Sequence, residues 1–267
     1  MEKGALTVVG TGYGGGGHLT PQTESAIAGA DKVFYLLSDP VSTQTVKDLN
    51  PNTISLHDCY RVGRPGPDSC EEMVERIVSS VREGNDTCAA FYGHPSIFVQ
   101  PGHESVKRAR ADGFRAQILP AISSLDCLYA DLGVDPGARG WQLFEASDFI
   151  LRRRKIDTFT PLALLQAGAV GITEYSEGIA ADPRRVQLLV DVLLERYPAE
   201  HEVTIYEIAQ LPIYETRIER VALGNLARIP MSVYTTLYVP ALGKHPLDEE
   251  RLRRLGLVVR DGHIEKI

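Results

Sequence analysis

Short apolar runs rich in β-branched residues alternate, through the first half of the chain, with longer stretches whose apolar positions recur at helical spacing. LTVVG (6–10), KVFYLLS (32–38), TISLHD (53–58), TCAAFYG (87–93) and RAQILP (115–120) predict strands. PQTESAIAGA (21–30), TQTVKDLN (43–50), CEEMVERIVSSVREG (70–84) and ESVKRARADG (104–113) predict helices between them. Thr20 is placed to cap the first helix with Pro21 at its first position, and Met73, Ile77 and Val81 mark the buried stripe of the third. Strict alternation of strand and helix predicts an open α/β sheet with mostly parallel strands over residues 1–120.

Beyond Pro120 the texture changes. SSLDCLYADLG (123–133) and DPRRVQLLVDVLLERY (182–197) predict helices, as does TRIERVALGNL (216–226), while TFTPLALLQA (158–167), EVTIYEI (202–208) and SVYTTLYVPA (232–241) predict strands. The expectation is a second α/β domain with a mixed sheet over 121–242. A tail over 243–267 then holds a short capped helix and an edge strand.

Composition narrows the classes. The 267 residues are 43% hydrophobic and carry a net charge of -7, with no basic stripe interleaved with aromatics, which argues against a nucleic-acid partner. The basic run RRRK (152–155) reads as a solvated loop or helix end. No stretch has the length of about 18 apolar residues that a membrane span needs, and the N-terminus runs into a strand with no signal-peptide pattern, so the expectation is cytoplasmic. Cys59, Cys70, Cys88 and Cys127 form no C-x-x-C pair, which argues against a zinc site and a disulfide scaffold.

The candidate chemistry begins with VVGTGYGGGGHLTP (8–21). Gly10, Gly12 and Gly15 satisfy a G-x-G-x-x-G spacing, and Asp39 lies at the distance of a ribose-binding acid, so a nicotinamide reading arises. Against it, a dinucleotide turn needs the helix to start within the glycines, whereas here the start falls at Thr20-Pro21. FYGHPSIFVQPGH (91–103) and PAISSLDCLYADLGVDPG (120–137) point elsewhere, since they place turns at the carboxyl edge of the sheet, where open α/β folds bind ligands.

These segments, with FEASDF (144–149), LLQAG (164–168), EHEVTIYE (200–207) and TTLYVP (235–240), resemble the tetrapyrrole methylase superfamily. Within it they are more similar to the borosin peptide backbone α-N-methyltransferases, over nearly the whole chain to about residue 242. The resemblance implies a two-domain tetrapyrrole-methylase-like fold and S-adenosylmethionine as methyl donor, with S-adenosylhomocysteine as product. It places the glycine loop, with Gly12, beside the cleft, and carries donor binding onto Tyr92, His94, Pro95, Ile97, Ser123, Gln166, Tyr206 and Thr236. Ala121 stands where the family commonly has glycine.

For catalysis the resemblance implies Tyr60, with Tyr92 remaining as a second phenol, and Arg61 or Arg64, the latter favoured, is placed to reach in from the loop of HDCYRVGRPGPDSCEEM (57–73) in place of the family's arginine. Gly66 and Cys70 stand where the family has arginine and tyrosine. Cys70 is open to three readings: a packing substitution, an altered catalytic group, or lost turnover. Glu145 and Asp148 read as structural. The tail RDGHIEKI is charged and short, so the expected substrate is a separate precursor peptide, with a helical binding domain and an apolar core, as in split borosin systems. A homodimer is implied by the resemblance alone. The alternatives are a precorrin-like C-methyltransferase and a member that binds donor and peptide without transferring methyl.

Overall fold

The computed structural model describes residues 4–173, 181–211, 213–260 and 263–266; Met1 to Lys3, and Asp261, Gly262 and Ile267 of the predicted tail, lie outside them. In the first half, β1 (Ala5–Gly10), β2 (Lys32–Leu36), β3 (Thr53–Ser55), β4 (Asp86–Phe91) and β5 (Arg115–Ile118) form a five-stranded sheet in the order β3-β2-β4-β1-β5. Every pairing in it is parallel. The helices α1 (Pro21–Ala28), α2 (Pro40–Leu49), α3 (Gly66–Arg82) and α4 (Gln100–Ala111) cover it. Val9, Ile27, Val33 and Val46 pack on the α1 and α2 side, and Phe34, Met73, Ile77, Val81 and Phe91 on the other, so the predicted stripe of α3 is buried.

The order of strands fixes where a ligand can go. The chain leaves β1 toward β2 on one side and leaves β4 toward β5 on the other, although β1 and β4 are neighbours. Their connections therefore diverge, and a crevice opens at their carboxyl ends.

In the second half come α5 (Ser124–Leu132), α6 (Pro136–Arg139), β6 (Gln142–Glu145), α7 (Ala146–Leu151), β7 (Leu162–Leu165), α8 (Pro183–Leu194), β8 (Glu202–Glu207), β9 (Arg217–Ala222) and β10 (Thr236–Val239). Their sheet, ordered β6-β7-β10-β8-β9, is mixed: β6 and β7 run parallel and the other pairs antiparallel. Leu162, Leu164, Leu189, Leu193, Ile205 and Leu237 form its core with α8. The chain is thus α/β with a parallel sheet followed by a mixed one. No described helix is long and apolar enough to cross a membrane.

Several elements differ from expectation. Residues 217–222, read as helix, form β9, because Ile218 and Arg220 face Tyr206 and Thr204 of β8 across the ladder. A 3₁₀ turn over Leu223–Arg228 follows. The strand expected from Thr158 is confined to β7, since Thr158 to Thr160 belong to a turn closed on Asp157. In the tail, α9 (Glu249–Arg254) precedes a hairpin of β11 (Leu257–Arg260) and β12 (His263–Lys266) in place of one edge strand. The α3 helix begins at Gly66, four residues ahead of Cys70.

Local capping explains two acidic residues that sequence had flagged. Asp39 is the N-cap of α2, accepting from the Ser42 amide at 2.7 Å, and this overturns its reading as a ribose-binding acid. Glu145 caps α7 through the amides of Ser147 and Asp148 at 2.8 and 2.6 Å. Asp148 in turn pairs with Arg152 and Arg154 at the solvated start of RRRK.

Candidate active site

Three loops meet at the carboxyl edge of the first sheet. The glycine loop after β1 and the turn after β4 are joined by a two-way bridge, in which the Gly12 amide donates to the Gly93 carbonyl at 3.2 Å and the Gly93 amide returns to Gly12 at 2.9 Å. Both glycines have φ of +64°, a region that other residues rarely adopt. Gly10 sits where the third loop arrives: a Cβ there would lie 2.2 Å from the Gly93 carbonyl oxygen, 2.6 Å from Pro95 Cδ and 2.8 Å from Ala121 Cβ.

Between these loops and the second sheet lies a small cleft of about 70 Å³, partly open to solvent. Of the residues carried over for donor binding, Tyr92, His94, Ile97, Ser123, Gln166 and Thr236 line it. Gly12 and Pro95 stand behind the wall as packing for the loop junction. Tyr206 is 1% exposed and lies outside the lining, its hydroxyl donating to Asp131 at 2.7 Å. The other lining side chains include Tyr13, Ser38, Phe98, Ser124, Gln210 and Tyr234, none of which sequence reasoning had assigned. Ser38 and Gln210 join across the cleft by a hydrogen bond of 2.6 Å.

Backbone geometry also singles the cleft out. Among the described residues three other than glycine have positive φ, and two of these, Phe98 at +56° and Gln166 at +57°, are in its wall. Such conformations cost roughly 1–3 kcal/mol each and persist where surrounding structure enforces them, commonly at functional sites. Gln166 is held by the Ala167 amide bonded to Thr235 O at 2.9 Å and the Ala169 amide bonded to Gln166 O at 2.8 Å.

Two phenols of the wall titrate above their ordinary range. Burial pushes the Tyr92 phenol up, and the nearby phenols of Tyr234, Tyr13 and Tyr60 push it the same way. Burial also raises Tyr13, with the Ser124 side chain opposing. Nδ1 of His94 accepts the Ser96 amide at 3.1 Å, so the proton of the neutral imidazole sits on Nε2, as a donor. Tyr206 is raised by burial first and by its bond to Asp131 second.

Arg64 is not part of the wall. Its guanidinium engages the Glu72 carboxylate, which also binds Arg61 and Arg76, and donates to Asp68 O at 3.1 Å and Cys59 O at 3.5 Å. Tyr60, beside Cys59, is half-buried against the α3 side of the core and close enough to Tyr92 to influence its phenol. Cys70 is half-buried on α3 and burial raises its thiol, which keeps it from acting as a thiolate.

Over residues 5–227 the sequence matches the family described as Tetrapyrrole (Corrin/Porphyrin) Methylases. The chain belongs to this family. Its similar relatives are named as methyltransferase and cyclic peptide precursor in one: that of dendrothelin A from Dendrothele bispora is 34% identical over 258 residues, 95% of this chain and 62% of the relative. That of omphalotin A from Omphalotus olearius is 35% identical over 261 residues, 96% of this chain and again 62% of the relative. A type I borosin cyclic peptide precursor from Coprinopsis marcescibilis is 34% identical over 266 residues, covering 96% and 68%. The chain thus spans about 62% of the length of the first two.

Among solved structures, uroporphyrin-III-C-methyltransferase from Thermus thermophilus superposes with a TM-score of 0.62 at 21% identity, covering 89% of this chain and 92% of that one. Cobalt precorrin-4 methyltransferase CbiF gives 0.61 at 16% identity, covering 88% and 94%. These two likenesses establish the shared fold of the family.

Proposed function

We propose that this protein is an S-adenosylmethionine-dependent methyltransferase that methylates backbone amide nitrogens of a peptide supplied in trans, leaving S-adenosylhomocysteine. The observation that carries the reading is the donor set of the cleft: among the described lining residues none is Lys, Arg, Asp or Glu. A dinucleotide diphosphate would find no countercharge there. An adenosyl group fits such walls, with Ile97, Leu165 and Ile208 against its apolar faces and Ser123, Gln166 and Thr236 at its polar edges. The names of the similar relatives, which join methyltransferase to cyclic peptide precursor, support the peptide substrate.

Bound in the cleft, S-adenosylmethionine would supply an electrophilic methyl group on a sulfonium. An amide nitrogen attacks poorly because its lone pair is delocalised into the carbonyl, so the protein must favour the imidate-like form in which charge collects on oxygen while the N–H proton passes to water at the mouth of the cleft. Tyr92 Oη holds its proton at neutral pH and donates to that oxygen. His94 Nε2–H is a second donor of fixed orientation. Tyr60 stands beside Tyr92, and Arg64 works at one remove, its bonds to Glu72, Asp68 and Cys59 holding the loop that carries Tyr60. Tyr234 and Phe98 stand 60% and 53% exposed at the mouth, where the peptide would enter.

The proposal includes a cytoplasmic homodimer whose partner helps form the cleft, which sedimentation at graded concentration tests. The reaction itself is tested by intact-mass analysis of a separately added precursor peptide. Tyr92→Phe lowers turnover by roughly 10²-fold or more, the effect of removing one oxyanion donor, and barely alters donor affinity. Unchanged turnover in that variant removes Tyr92 from the mechanism.

A further inference from the structure

A sulfonium is a cation, and a site that holds it must answer its charge. The described lining offers no carboxylate, and the nearby acids are engaged elsewhere: Asp131 by the Tyr206 hydroxyl, and Glu207 by the Ser232 amide at 2.9 Å, the Thr235 hydroxyl and Arg217. The cleft has instead an unusual share of aromatic wall. Tyr13, Tyr92 and Tyr234 all face it, and the Tyr234 phenol lies near enough to the other two to raise both.

Tyr13 is the least expected of the three and the most deliberately held. In GTGYGGGG (10–17) it is the one side chain larger than threonine. Gly93 opposite it has no Cβ, and the phenol fills the place where one would be: Oη, Cζ and Cε2 lie 2.8, 3.1 and 3.2 Å from that point. The Tyr13 amide donates to His18 Nδ1 at 3.2 Å, which pins the loop on its far side. Gly12, Gly14, Gly15 and Gly16, all with positive φ, let the chain double back and turn this ring inward.

We propose that Tyr13, Tyr92 and Tyr234 form an aromatic cage for the sulfonium of the methyl donor, and that Tyr13 makes the cleft prefer the cationic donor over the neutral thioether product. The proposal rests on the donor being S-adenosylmethionine. The face of an aromatic ring attracts an onium ion through its quadrupole, an interaction that strengthens as water is excluded. The product lacks that charge, so the cage also favours its release after transfer.

Titration calorimetry with S-adenosylmethionine and S-adenosylhomocysteine tests it on the full chain, as wild type, Tyr13→Leu, Tyr13→Phe and Tyr234→Leu. Tyr13→Leu weakens the cationic donor roughly 3- to 30-fold and the thioether by about twofold or less, whereas Tyr13→Phe keeps the wild-type ratio. Tyr234→Leu, at an exposed position that folding tolerates, moves the ratio in the same direction by a smaller factor. A second readout is phenolate absorbance: the donor, and not the product, lowers the pH at which the cleft phenols ionise in the wild type. Equal weakening of both ligands in Tyr13→Leu and Tyr234→Leu, or none, overturns the cage and leaves the donor assignment standing. A wild type that binds neither ligand overturns the donor assignment and the cage with it.

Discussion

Substituting Gly10 by alanine probes the junction on which the whole site is built. The added Cβ would lie 2.2 Å from the Gly93 carbonyl oxygen, 2.6 Å from Pro95 Cδ and 2.8 Å from Ala121 Cβ. The first obstacle is backbone already bonded to the Gly12 amide, and the second is a proline ring, so none can retreat by a simple rotamer change. Overpacking in a tight site costs about 1–3 kcal/mol, and this geometry belongs at the upper end. A loss of about 3 kcal/mol lowers the melting temperature by roughly 6–12 °C in a chain of this size. Gly14→Ala is the control: open space surrounds it, so only its φ of +72° matters, at about 1–2 kcal/mol and correspondingly fewer degrees. Differential scanning calorimetry on both variants, with donor titration on whatever remains folded, reads the contrast. Gly10→Ala melting with the wild type, or no worse than Gly14→Ala, would refute the convergence of the three loops at Gly10.

Asp39→Ala removes a helix cap and costs about 1 kcal/mol in chemical denaturation while leaving donor affinity unchanged; a tenfold loss of affinity would restore a ligand-binding role. Burial holds the thiols of Cys59 and Cys88 up at about 11 and about 12, so neither reacts with a thiol reagent at neutral pH until the chain is unfolded. Rapid labelling of both in the folded protein would contradict their placement in the core. Hydrogen bonds from Thr160, from His245 and from the Phe159 amide hold Asp157 at about 2, below its ordinary 3.8. Stabilisation from this depressed carboxyl is present above its ordinary value and lost as pH falls toward about 2. Melting temperature therefore drops across that window in the wild type, and Asp157→Asn flattens this part of the profile.

The parallel sheet was legible because buried strands and amphipathic helices write different periods into the chain, and because Thr20-Pro21 marks a helix start in local terms. β9 was not, since Ile218 and Val221 stand three apart as on a helix, and only pairing with β8 reveals the alternation. Asp39 misled for the same reason: its spacing from the glycines suits a ribose, and its bond to the Ser42 amide depends on where α2 begins.

Six of the positions that the family resemblance implied for donor binding line one cleft, and the family motifs are what made them visible. Tyr13 needed knowledge of Gly93, eighty residues away along β1 and β4, to be seen as part of the cleft. Phe98 and Gln166 adopt backbone conformations that nothing in their residue type announces. The loop of Arg64 shows the opposite limit, because a register of charges cannot tell which of the available carboxylates an arginine will take, and Glu72 takes three.

Tandem mass spectrometry of a precursor peptide, added as a separate chain with S-adenosylmethionine, tests backbone methylation in trans. Whole methyl increments that fragmentation assigns to backbone nitrogens are expected, abolished when the donor is omitted. A peptide that is bound together with the donor yet returns unmodified, or methylated on side chains alone, would contradict it.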